Sequence, residues 1–386
     1  MKHRAAFGAF LMIMLVLVVE PRVRAAQQPW TGASITGAGL VADRPGATMP
    51  FRVSLDAPGS PVGVDFRGAL TQGSVRVQLL AADERVVWAR SVTAAGPFIV
   101  NEVITPASAG VYTLGLAWDG PVRAQYALQW QPGKIEVAAV SPLALMSGLG
   151  MIGVALAGLG YAARRKLSWR YLGLGALGWI VTVALKFAWA IPLNPPIYNG
   201  LSAALPPPLA RPLIYLYTGA LTGVFEVGIV WLALRCTRLG RIAWPAVLAF
   251  GIGFGAVEAL LLGVNALIAV ATALLSPATL PVAALAQLAD AANPLFGLAP
   301  VVERASVLLV HIGAIALIFY AAARRRAGPF WLAFALKTAL DAVAAFGQVW
   351  GMMTLGKLWT IEAVMILLAA AGWGGTRWAA RLDVGT

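Results

Sequence analysis

The hydrophobic pattern of this chain changes period along its length. A basic start, Lys2, His3 and Arg4, precedes an apolar run of 15 residues from Ala5 to Val19. Val23-Arg24-Ala25 then offers the small residues a signal peptidase requires, so residues 1–26 read as an export signal, cleaved or kept as an anchor. From Gln27 to Gly133 apolar and polar positions alternate with period two, as in strands with one buried face. Val75–Leu79, Val86–Trp88 and Val111–Leu116 are strand-like runs, divided by turn signals such as Ala57-Pro58-Gly59-Ser60 and Asp119-Gly120-Pro121. Turns about every ten residues predict an antiparallel β-sandwich over residues 27–138. That region has no His and no Cys, and its acids read as scattered among turns. It therefore suggests an exported binding or spacer module with a ligand that the sequence does not name.

After Lys134 the alternation gives way to long apolar runs near 140–162, 171–192, 212–234, 243–275, 299–322, 329–349 and 358–375. A membrane-crossing helix needs about 20 apolar residues. The predicted fold is thus an α-helical membrane bundle of about seven spans over 139–378, behind the β-sandwich, with a short tail at 379–386.

Composition agrees. The chain is 60% hydrophobic and 12% charged, with a net charge of +13. Such a charge invites a nucleic-acid reading, but its placement excludes one. Residues 27–139 carry eight bases and eight acids, whereas 140–386, the most apolar part, carries 17 bases and 7 acids. Twelve of those 17 fall in four short clusters, Arg164-Arg165-Lys166 with Arg170, Arg235/Arg238/Arg241, Arg324-Arg325-Arg326 and Arg377/Arg381. They lie in alternate loops, which is the positive-inside pattern of a multi-pass protein. An exported sandwich puts the same four clusters in the cytoplasm. The expected location is a bacterial inner membrane, with membrane lipids as neighbours and no nucleic acid. The single cysteine, Cys236, leaves no disulfide framework and no multi-cysteine metal site.

Several ionisable residues fall within the apolar spans: Glu226, Glu258, His311, Lys337 and Asp341. Each costs about 2.5–3.5 kcal/mol at the bilayer centre, so they must pair or perform chemistry. Lys337 and Asp341, four apart on one helix, are expected to form an ion pair. Lys186 and Glu362 lie nearer the expected span ends and read as snorkelling side chains. Gly251, Gly253 and Gly255 precede Glu258 and would let another helix or a substrate backbone approach it. Arg304 and His311 share one stripe of the fifth span, with Glu303 on the adjacent face.

Phe225-Glu226, Gly253-Phe254-Gly255-Ala256-Val257-Glu258, Glu303-Arg304 with His311, and Asp341 occur in the order seen in YhfC-like intramembrane metalloproteases, relatives of the PrsW and CAAX-protease group. The resemblance spans about residues 145–370. It implies a polar site within the bilayer where Glu226, Glu258 and His311 activate water to cut a peptide bond, supported by Glu303, Arg304, Lys337 and Asp341. It also implies zinc, which the residues present match poorly. Val227, Val230, Phe254 and Lys337 stand where the family pattern has a glutamate, a basic residue and two histidines. A metal-free scheme would use Glu226 as general base and His311 to orient water or stabilise the oxyanion. The expected partner is a membrane-protein or peptide substrate. Two further readings remain: a catalytically dead pseudo-protease serving as receptor or scaffold, and a proton- or cation-coupled transporter.

Overall fold

The computed structural model describes residues 33–383 except 43–47, 56, 119–121, 136–138, 278–279, 281, 292 and 351–353. The expected export signal lies outside the described residues.

Eight strands build the N-terminal domain: β1 (Ala33–Ala42), β2 (Thr48–Leu55), β3 (Val62–Gln72), β4 (Val75–Leu80), β5 (Val86–Val92), β6 (Gly96–Ile104), β7 (Gly110–Trp118) and β8 (Val122–Pro132). They form two four-stranded antiparallel sheets, ordered β1-β8-β3-β6 and β2-β7-β4-β5. The period-two pattern is the cause. In β4, Val75, Val77 and Leu79 are buried while Arg76 is exposed, and Leu114 and Leu116 of β7 join them. Phe66 and Leu128, side by side on β3 and β8, complete the core from the other sheet. Each such side chain contributes about 1.5–3 kcal/mol on burial.

β3 departs from simple alternation because both its faces are covered. Beyond β8 the chain turns at Gly133, whose φ of +73° favours glycine, and its N–H donates to the Pro61 carbonyl at 2.9 Å. The following residues fold back over Gly63 of β3: a Cβ there would lie 3.1 Å from the Ile135 nitrogen. Asn101 donates from Nδ2 both to the Ile135 carbonyl (3.2 Å) and to Asp65 Oδ2 (2.8 Å). Asp65 in turn receives two bonds from Arg67, at 2.5 Å each, with both side chains 1% exposed. The expectation that the acids of this domain sit in turns fails here. Asp65 is mid-strand, buried because a guanidinium and an amide satisfy it.

The C-terminal part is helical: α1 (Leu145–Arg164), α2 (Trp169–Ala204), α3 (Pro207–Thr222), a π-helical turn Gly223–Gly228, α4 (Ile229–Cys236), α5 (Trp244–Leu275), α6 (Val282–Asp290), α7 (Pro294–Arg324), α8 (Ala327–Trp350) and α9 (Leu355–Asp383). Among the described residues seven helical stretches are long and apolar enough to span a membrane, with α3, the π turn and α4 forming one of them. The protein is a multi-pass membrane protein. α7 is its most enclosed helix, packing along α9, α8 and α1.

One boundary differs from expectation in a way that moves a charge. The second span, expected to end near residue 192, continues through Pro192, Pro195 and Pro196 to Ala204. Proline is tolerated in a membrane helix where neighbours compensate for the missing N–H. Here the hydroxyl of Tyr217 donates to Asn194 Oδ1 (3.1 Å), and Tyr198 and Thr218 share a 2.8 Å hydrogen bond, tying this stretch to α3. The longer helix puts Lys186 at its middle, not near its end.

Candidate functional site

Small residues bring the charged helices together. A Cβ on Gly255 would lie 3.2 Å from the His311 Cβ, and one on Gly251 would lie 3.1 Å from the Ile312 Cα, so α5 and α7 touch along these two glycines. Gly253, on the other side of α5, faces the Leu172 carbonyl of α2. The glycine repeat thus packs α5 between two helices and brings Glu258 beside His311.

Glu258 is fully engaged. Its Oε1 accepts from Arg304, and its Oε2 accepts from His311 Nε2 at 2.7 Å and Trp179 Nε1 at 2.9 Å. A carboxylate only accepts, so Nε2 of His311 carries a proton, an assignment made from the network. Arg304 also donates to its neighbour Glu303. The stripe linking Arg304 to His311 is therefore real, and Glu258 joins its two ends.

Glu226 occupies the π-helical turn, a local widening frequent at functional sites. It is 4% exposed. Lys186 of α2 donates to its Oε1 at 2.9 Å, and Lys337 of α8 lies 2.8 Å from its Oε2 without the direction of a good hydrogen bond. The Lys337 ammonium is also 3.4 and 3.5 Å from the two ring nitrogens of His311. The near-equal distances mean that it is not aligned on either nitrogen alone. Lys337 is thus the bridge between Glu226 and the Glu258–His311 pair.

The expected Lys337–Asp341 ion pair is not formed. Asp341 instead meets Lys186 at 3.5 Å and accepts from Thr222. The snorkelling expected of Lys186 and Glu362 also fails: Lys186 joins the centre of the bundle, and Glu362 of α9 is 2% exposed, its Oε2 without a hydrogen-bond partner among the described residues. Lys186, Thr222 and Trp179 are members of the network that sequence reasoning missed. The proline-tolerant length of α2 was the signal for Lys186; nothing local marks Thr222 or Trp179.

The residues present do not fit a zinc ion. Structural and catalytic zinc sites draw chiefly on imidazole and thiolate, with at least three protein ligands. Here the one imidazole has Nε2 committed to Glu258, and every carboxylate oxygen of Glu226 and Glu258 faces a cation or an N–H donor. Phe254, where a second histidine would add a ligand, packs its ring on His311 with centroids 5.1 Å apart. Among the described residues no group of three or more His, Cys, Asp and Glu is arranged to hold a metal.

No curated protein matches this chain. Among solved structures, the crystal structure of the infectious bursal disease virus VP2 subviral particle is 13% identical, covering 29% of this chain and 36% of that one, with a TM-score of 0.20. The infectious bursal disease virus Gx strain structure is 16% identical over the same shares, with a TM-score of 0.17. The chain spans about a third of the length of these viral proteins. A family model described as the YhfC intramembrane metalloprotease matches residues 150–365, which is the membrane part and more than half of the chain. With the ordered helices and the buried polar centre in place, the chain belongs to the YhfC intramembrane metalloprotease family.

Proposed function

We propose that this protein is a non-hydrolytic member of its family, a membrane receptor or scaffold that engages a membrane-embedded polypeptide, with the β-sandwich as its extracytoplasmic recognition module. One observation carries the reading. Both carboxylates that could act as general base are already engaged: Glu226 by the ammonium groups of Lys186 and Lys337, Glu258 by the Arg304 guanidinium and the N–H of the His311 ring. A general base must reach the proton it removes and be free to accept it.

A second reading, hydrolysis of a peptide bond, has a specific observation in its favour. Glu226 Oε2 contacts Lys337 but lacks a well-directed hydrogen bond, and so retains an acceptor direction for a water molecule. Under it Glu226 is the base and His311 the orienting group.

The experiment separates the two. Purified protein is incubated with detergent-solubilised membrane proteome and the products are read for new termini, with Glu226→Gln alongside. The receptor reading expects the same termini with wild type, Glu226→Gln and no protein added. New termini made by wild type and absent with Glu226→Gln would establish the peptidase reading instead.

A further inference from the structure

We infer that Lys337 supplies, as a tethered ammonium, the positive charge that a divalent metal ion would otherwise bring to the membrane centre, so that lysine and metal exclude each other at this site. The inference concerns what charge fills the centre, and it stands whether or not the protein cuts peptides.

The argument begins with placement. Lys337 is 2% exposed on α8, and its ammonium lies between a carboxylate oxygen of Glu226 and the imidazole of His311. A carboxylate and an imidazole on facing helices are what a divalent ion seeks, and the residue between them is itself a cation. A lysine here is costly unless its charge is matched on several sides.

Charge balance points the same way. The ion pairs of the centre join four carboxylates, Glu226, Glu258, Glu303 and Asp341, to three fixed cations, Lys186, Arg304 and Lys337, with His311 as the remaining titratable member. Glu362 stands outside these pairs. With a neutral ring the paired set is one negative charge from balance, and with a protonated ring it is balanced. Adding a divalent ion would make the set positive in a medium that tolerates little net charge. With a neutral ring, removing the Lys337 charge leaves the same set with two negative charges in excess, which one divalent ion would match.

Three forms of the full-length protein in detergent test this: wild type, Lys337→Met, which keeps length and loses charge, and Lys337→His, which adds a second imidazole. The probes are zinc and cobalt(II) ions alone, read by bound-metal stoichiometry, by visible absorption of cobalt and by thermal unfolding. Wild type is expected to retain no stoichiometric zinc and to melt at one temperature with zinc or with chelator. Lys337→Met, which removes the charge without adding a ligand, is expected to melt lower than wild type and to respond to zinc less than Lys337→His does. Lys337→His is expected to bind one cobalt ion with the intense visible bands of a tetrahedral site. Stoichiometric metal in wild type overturns the inference. So does a folded pair of variants indifferent to both ions, or failure to recover either variant even when zinc is present throughout purification. New termini in the proteolysis assay would sink the receptor reading and leave this result untouched.

Discussion

Glu102 shows at the scale of one side chain how the fold sets an ionisation. It lies on β6 and accepts from Trp88 Nε1 at 2.9 Å and from Arg90 at 2.5 and 2.9 Å. Partial burial works against its charge, but the Trp88 and Arg90 hydrogen bonds and the Arg90 charge outweigh it and hold the carboxyl below its ordinary value. A depressed carboxylate stabilises the fold above the unfolded pKa, and that stabilisation is lost as pH falls through the folded one. The β domain is therefore expected to lose stability towards acid more steeply in wild type than in Glu102→Gln. The difference is small, within about 1 kcal/mol, because the pair is solvent-screened. Thermal melts followed by tryptophan fluorescence down a pH series test it; equal acid slopes for the two proteins would remove Glu102 from the account. Residue identity alone made the buried charges of the membrane part conspicuous, since five ionisable groups in apolar spans stand out in any reading. Their partners were not legible. Lys337 and Asp341 are one helical turn apart, so local geometry pairs them, yet the first turns to Glu226 and the second to Lys186. A partner across a bundle depends on the rotation of each helix about its axis, which packing decides and sequence spacing does not.

At the scale of elements, the helices approach where side chains vanish. Gly253 sits against the backbone of α2, which cannot yield as a flexible side-chain tip can, whereas Gly173 of α2 has nothing within 4 Å of where a Cβ would go. Gly253→Ala is expected to destabilise the bundle by about 1–3 kcal/mol, the usual cost of overpacking. Gly173→Ala is expected to be neutral or stabilising by up to about 1 kcal/mol, through helix propensity. Melting temperatures of the two variants in one detergent give the comparison, and a Gly253→Ala protein as stable as wild type would mean the contact is not tight. Strand runs were legible because alternation reports a half-buried surface directly: Val75–Leu79, Val86–Trp88 and Val111–Leu116 all fall within observed strands. The π turn carrying Glu226 was not. It replaces one hydrogen-bond register with another over six residues, and no composition demands it.

For the whole molecule, the division into a β domain and a seven-span bundle follows from two periods of hydrophobicity, and it is the part of the structure that the sequence carried most plainly. The proposed orientation across the bilayer rests on the four basic clusters and on the proposed export of the β-sandwich. Alkaline phosphatase fused after Gly133 is expected to be active, and fused after Thr386 to be inactive. Activity at both positions or at neither would sink this topology.

The ion pairs of the centre also impose an order on synthesis. All but the adjacent Glu303 and Arg304 join groups that leave the ribosome seconds apart. Lys186 precedes Glu226 by 40 residues, and Glu258 precedes Arg304 by 46. At about 5–20 residues per second, the earlier member of each pair waits a few seconds for its counter-charge. Glu226 waits longer still for its second cation, because Lys337 is the last of its partners to be made. During that interval Glu226 has Lys186 alone as its counter-charge, and the arrival of α8 brings the second. The full set of pairs therefore cannot form until the sixth span, which carries Lys337, has been made.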